Sequence, residues 1–343
     1  MFTTIKEAFE TKVAQKGVVP FLQHEFKDPH IIEGINILAA HTGKSVQEIK
    51  DYIKDQVKNY EDMAQKAPRL FDTSLKNAIE SEIFTKMWEE KIPVPKAPVF
   101  NATIFKTLFR TIQGEHPSFF PMKSVFNSKD LKENEPILVP MSEAKADQLN
   151  RIYKNKTKSG KIDYNQVNTA ACYPSGQFVF NIPFMQSLLD FAFLKKLKPK
   201  GRKYFGNSGL KPDDERAYKY IPDEYGYIEF LIIHEFFHYT QDDFHHQKII
   251  PKSHPKIINY VGDFRSNYLL VKSGYSQLPI GLYSDDINYD RQNGDYLEMY
   301  RIVKEELEKT KKTLAVGDVV KMPNGKKGII KSITNGKAQV EPA

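Results

Sequence analysis

Apolar residues recur at helical spacing through most of this chain and at strand spacing in only two places. Asp28 followed by Pro29 reads as an N-cap with proline in the first turn, and the helix Ile31–His41 stops at Gly43. Ser45 and Glu48 form a capping box that opens a helix with apolar Val46, Ile49, Ile53 and Val57. A helix follows near Thr73–Glu90, holding the only tryptophan, Trp88. The proline-rich run 92–98 is then an extended connector, and Asn101–Ile112 a further helix. Residues 115–163 are irregular, with a short strand at Pro136–Val139 and a helix near Ser142–Tyr153.

The period shortens at 164–182. Val167–Tyr173 and Gln177–Ile182 alternate around Pro174-Ser175-Gly176, the pattern of a β-hairpin. Helical spacing returns at Pro183–Leu197, and a basic loop covers 198–222. Three helices follow: an apolar one from about Asp223, one from Pro255 to about Ser273, and a last at Gly294–Lys311. The tail alternates again at 316–322, 328–333 and 337–340, with turns at Pro323-Asn324-Gly325 and Asn335-Gly336. This is a three-stranded meander that resembles the SH3-like and KOW-type mini-barrels. Too short to bury a core of its own, it is expected to dock on the main domain or a partner. The fold class expected is α+β, mostly helical with a small sheet. The expected division is 1–65 as a helical module for docking or interaction, 66–313 as the main domain and 314–343 as the β module.

Composition changes this picture little. Hydrophobic residues at 40% and aromatics at 12% suffice for a substantial core. The single cysteine, Cys172, excludes an internal disulfide and a cysteine-based zinc finger, and it favours a reducing cytosol. The N-terminal stretch lacks the apolar run of a secretory signal, and no apolar stretch is long enough to span a membrane. Net charge is +7, from 50 basic and 43 acidic residues, with the excess concentrated in loops at 154–158 and 195–203. A solvated surface is the expected reading of these loops, with nucleic acid or an acidic partner protein as the alternatives. Nucleic acid is the least favoured partner.

The candidate chemistry sits in the apolar helix, where His234-Glu235-Phe236-Phe237-His238 reads H-E-x-x-H. Histidines four apart share a helix face, so both imidazoles reach one Zn2+. A helix apolar nearly all round is buried, and a buried Glu235 beside two histidines needs a partner, for which a metal is the simplest. The third ligand has several candidates: His245, His246, His254, Asp263, Glu305 and Glu306. Asp263 is the best placed, because Asn259, Asp263 and Asn267 form one polar stripe on an otherwise apolar helix. Asn259 and Asn267 can orient groups around the ligands, and Gly262 suits a close approach of the two helices.

The H-E-x-x-H helix, the N-x-x-x-D-x-x-x-N segment with Gly274 and Leu278-Pro279-Ile280-Gly281-Leu282, and the upstream Asn181-Ile182-Pro183-Phe184 together resemble a family of metallopeptidases. Its members are encoded beside MoxR-type ATPases and von Willebrand A domain proteins and are also carried by phages. The resemblance covers about 165–310. It implies a zincin-like fold with His234, His238 and Asp263 as ligands of one Zn2+, and Glu235 as general base.

On that reading the chain hydrolyses a protein or peptide substrate with metal-activated water. Tyr283 or Tyr289 would stabilise the oxyanion, and the strand Phe178-Val179-Phe180 would offer an edge on which the peptide lies extended. The alternative is a structural or assembly protein, such as a phage-particle component, with 1–65 and 314–343 as its protein interfaces. The expected setting is a host cytoplasm or a virion, with no membrane association.

Overall fold

Asp28 accepts a hydrogen bond from the His30 N–H at 3.4 Å, so the first described helix begins where the sequence places its cap. The computed structural model describes residues 26–67, 69–70, 75–95, 97–115, 136–153, 156–157, 160–173, 177–195, 202–205, 218–221, 223–241, 243–250, 252–310, 319–321, 327–334 and 337–342. The expected turns at 174–176, 323–325 and 335–336 lie outside them, as do most of the basic runs at 154–158 and 195–203.

Among the described residues, three helices form the N-terminal unit: α1 (Pro29–Thr42), α2 (Val46–Lys66) and α3 (Leu75–Glu89). The capping box at the head of α2 is closed in both directions: the Ser45 N–H donates to Glu48 at 2.7 Å and the Glu48 N–H to Ser45 Oγ at 3.2 Å. Ile49, Ile53 and Val57 are buried as their spacing requires, while Val46 stays exposed. α3 completes the three-helix unit beyond residue 65. The unit does not own a separate core. Ile31, Ile35, Ile83 and Phe84 belong to one continuous apolar cluster with Phe184, Leu188 and Phe191 of a later helix. Phe84 meets Phe184 and Phe191 edge-on at 5.9 and 5.6 Å. A buried ion network crosses the same seam, with Glu80 bonded to His30 and to Lys195 at 2.8 Å each.

After α4 (Ala102–Glu115) come β1 (Ile137–Val139), α5 (Glu143–Tyr153) and the two-residue pair β2 (Lys156–Thr157) and β3 (Gly160–Lys161). The hairpin is β4 (Ala170–Cys172) and β5 (Phe178–Asn181), antiparallel, with β1 added parallel on the far side of β5. The strand order is therefore β1-β5-β4. This corrects the edge role expected for Phe178, Val179 and Phe180. They sit on the central strand, fully buried and bonded on both sides, so no peptide can add there.

Asn181 ends β5 and caps α6 (Ile182–Leu194). Its side chain accepts from the Phe184 N–H at 2.9 Å and donates to the Val167 carbonyl at 2.9 Å. Part of the segment expected as loop is a short antiparallel pair, β6 (Arg202–Phe205) with β7 (Tyr218–Ile221). Then come α7 (Gly226–Thr240), α8 (Asp243–Ile249), α9 (Pro255–Lys272) and α10 (Tyr296–Thr310). The tail is an antiparallel meander of β8 (Val319–Lys321), β9 (Lys327–Thr334) and β10 (Lys337–Pro342), with a register shift between Gln339 and Val340. The described residues are thus mostly helical with small sheets. None of their helices is long and apolar enough to cross a membrane.

Candidate metal centre

α7 is buried on every side. Ile228, Phe230, Ile232, Ile233 and Phe236 are fully enclosed, at about 1.5–3 kcal/mol of burial each, which fixes the helix as a rigid platform. His234, Glu235 and His238 project from it beside α9, which supplies Asp263. Asp263 Oδ1 lies 3.2 Å from His234 Nε2 and 3.0 Å from His238 Nε2, and the two Nε2 atoms are 3.0 Å apart. A tetrahedral ion with bonds of about 2.0–2.1 Å spaces its ligand atoms by about 3.3 Å, so this triangle has the size that one zinc ion needs. Two imidazole nitrogens and a carboxylate oxygen are also the donor set zinc accepts.

α7 does not run on through His245 and His246. It ends at Thr240, and a separate helix, α8, restarts at Asp243. That break returns the Asp243 carboxylate to His238, with Oδ2 2.7 Å from Nδ1. A carboxylate on Nδ1 holds the proton there and turns the Nε2 lone pair toward Asp263 and His234. Sequence reasoning missed Asp243, because nothing in the spacing reveals where α7 stops. Gly262 of α9 backs directly onto the pair: a Cβ there would lie 2.2 Å from Asp243 Oδ2 and 2.8 Å from His238 Nδ1.

The electrostatics follow from this packing. Burial opposes a charged His238, but its hydrogen bonds to Asp243 and Asp263 outweigh that and hold its pKa well above the usual histidine value. Burial likewise opposes an ionised Asp263, and the bonds to His234 and His238 reverse the sign, placing it below the ordinary carboxylate range. Glu235 goes the other way. Burial pushes its carboxyl up, only partly countered by the two histidines and by a hydrogen bond from the Cys172 backbone N–H. Nδ1 of His234 is buried and has no hydrogen-bond partner among the described residues.

The other expected residues are distributed as follows. Asn259 donates to Asp263 Oδ2 at 3.1 Å, and Asn267 donates to the Leu282 carbonyl at 2.9 Å. His254 caps α9, His246 stacks on Tyr296 with centroids 3.9 Å apart, and His245 and Glu305 are exposed. Glu306 is buried on α10, and none of these five joins the cluster. A cavity of about 590 Å3 opens over the three ligands, walled by Ala170–Cys172 of β4, Leu231, Asn267, Leu278 and Ile280–Leu282. Tyr283 and Tyr289 do not line it. The Tyr283 hydroxyl accepts from the Leu278 N–H at 2.8 Å, and Tyr289 packs under Arg265. The structure therefore brings neither tyrosine to an oxyanion.

A sequence model of the linker histone H1 and H5 family matches residues 29–88, which are α1, α2 and most of α3. No curated protein and no solved structure matches the chain. The histone match overturns the resemblance to the MoxR-associated metallopeptidases and, with it, the expected hydrolase activity, the general-base role of Glu235 and the peptide substrate. The phage-assembly alternative likewise has no support. Nucleic acid, set last among partners by the charge pattern, is the partner class this match favours. The matched residues lie outside the His234–His238–Asp263 cluster, so the geometry of that cluster does not depend on them.

Proposed function

We propose that this chain is a zinc-holding protein that associates with nucleic acid. The single observation behind the metal is the convergence of His234 Nε2, His238 Nε2 and Asp263 Oδ1 in a triangle of 3.0–3.2 Å edges. A zinc ion supplies the positive charge that these converging lone pairs call for, and it ties α7 to α9. Asp243 and Asn259 hold the ligands from behind. We read the α7–α9 unit as zincin-like in shape alone and the β8–β10 meander as an SH3- or KOW-like module. The chain between α3 and the meander is the main body, and the N-terminal helices share its core. A chelator is expected to lower the melting temperature and added Zn2+ to restore it. Indifference to both would remove the metal from this reading.

Nucleic-acid association rests on the match of residues 29–88 to the linker histone family. Linker histones bind DNA, and duplex DNA is accordingly the ligand to test first. The matched segment holds 8 Lys and Arg against 9 Asp and Glu, so it does not attract phosphate by net charge. The basic runs at 154–158 and 195–203 are the better source of that attraction. Binding of the full chain to labelled duplex DNA, measured against salt, tests this part separately from the metal.

A further inference from the structure

Behind the metal ligands, buried Asp243 and half-buried Arg265, of opposite sign, each have buried atoms without a partner. Asp243 gives Oδ2 to His238, and its Oδ1 is buried with no hydrogen-bond partner among the described residues. Arg265 has Nε and Nη1 in the same condition. Buried polar atoms left unpaired are costly, so two oppositely charged groups near one another that each have them call for a joint explanation.

Tyr296 shows that they share one site. The guanidinium carbon of Arg265 lies 5.2 Å from the centre of its ring. Its hydroxyl donates to the Ile258 carbonyl at 2.8 Å. Burial pushes the phenol upward, Asp243 adds to that and Arg265 opposes it, so both charges are felt at the same hydroxyl. Helix spacing agrees. Ile258, Gly262 and Arg265 stand four and three apart, on one face of α9. It is the face whose Gly262 abuts Asp243 Oδ2. Tyr289 covers the guanidinium from its other side, 5.9 Å from the ring centre.

We propose that Arg265 is a positioning residue for the metal centre: braced by Tyr296, it holds the second oxygen of Asp243 through an ordered water, and Asp243 holds the ring of His238. A water suits the place because it pairs a carboxylate oxygen with guanidinium N–H groups that do not touch it directly. Arg265 thereby acts on a ligand without touching the metal. This inference rests on the zinc reading, and its test separates the two.

Zinc affinity is measured by competition with a chromophoric chelator for the wild-type chain, Arg265→Met, Asp243→Asn and the double variant. Each single change is expected to weaken zinc about tenfold, as loss of a group orienting a ligand does. The double variant is expected to be no weaker than the worse single, because the two residues act in series. Wild-type affinity in Arg265→Met, or effects that multiply in the double variant, would overturn the proposal. Where Arg265→Met does not fold, Arg265→Lys carries the test. It keeps the charge but not the planar fork, and it is expected to shift the visible spectrum of bound Co2+; an unchanged spectrum and affinity overturn the proposal. If the wild-type chain binds no zinc, the zinc reading fails, and the coupling is read in the metal-free chain by NMR. A displaced His238 Nδ1 proton resonance in Arg265→Met supports it, and an unmoved one overturns it.

Discussion

Nδ1 of His238 lies 2.7 Å from Oδ2 of Asp243, and the backbone of Gly262 closes over both. Any side chain at 262 must displace one member of this pair. Gly262→Ala gains helix propensity in isolation, yet here its methyl would sit 2.2 Å from a carboxylate oxygen. We expect net destabilisation of about 1–3 kcal/mol from overpacking, together with weaker zinc binding. Thermal unfolding and zinc competition check this; a variant as stable and as tight as wild type would mean that α9 is free to move away.

The seam between the N-terminal helices and the rest of the chain is pH-sensitive through Glu80. Burial opposes its ionised form, but hydrogen bonds from His30 and Lys195 outweigh burial and hold its pKa below the ordinary value of 4.5. A group lowered by folding stabilises the fold above its unfolded pKa, and that contribution is lost as pH falls through the folded value. Glu80→Gln is expected to cost about 2–3 kcal/mol at neutral pH, with the difference from wild type shrinking below about pH 4.5. Melting curves across pH 3–7 read this. A constant difference down to pH 3 would show that Glu80 is not the titrating partner.

Affinity for duplex DNA is expected to fall at least about tenfold between 50 and 200 mM salt, since phosphate contacts release counterions. Charge-neutral substitution of the lysines at 195, 196, 198 and 200 is expected to flatten that dependence, whereas changes on the exposed face of α2, such as Lys58→Gln, should matter less. Fluorescence anisotropy with a labelled duplex measures both. Binding that ignores salt, or no binding at low salt, would leave the histone match without a nucleic-acid counterpart in this chain.

Much of this fold was legible because local rules act alone at its element ends. Asp28 and Ser45 with Glu48 cap the helices that their sequence context announces. The convergence of Asp263 with His234 and His238 was legible too, since i, i+4 spacing puts polar groups on the inner face of an otherwise apolar helix.

Relationships across long separations were not legible. β1 pairs with β5 about 40 residues further on, and that pairing turns Phe178–Phe180 from an edge into a centre. Asp243 depends on where α7 breaks, and no glycine or proline after Thr240 marks that break. The shared core of Phe84 with Phe184 likewise joins segments that the sequence offers as separate units. The partner class was misjudged for a different reason: net charge reports attraction to phosphate, and the segment that matches a histone family is close to neutral.

Elemental analysis of the purified full chain beside Asp263→Ala tests the metal centre most directly. The account predicts one zinc per wild-type chain, and a large loss of it when the Asp263 carboxylate is removed while His234 and His238 remain. A wild-type chain free of zinc after purification and after incubation with Zn2+, or an Asp263→Ala chain that retains zinc in full, would contradict it.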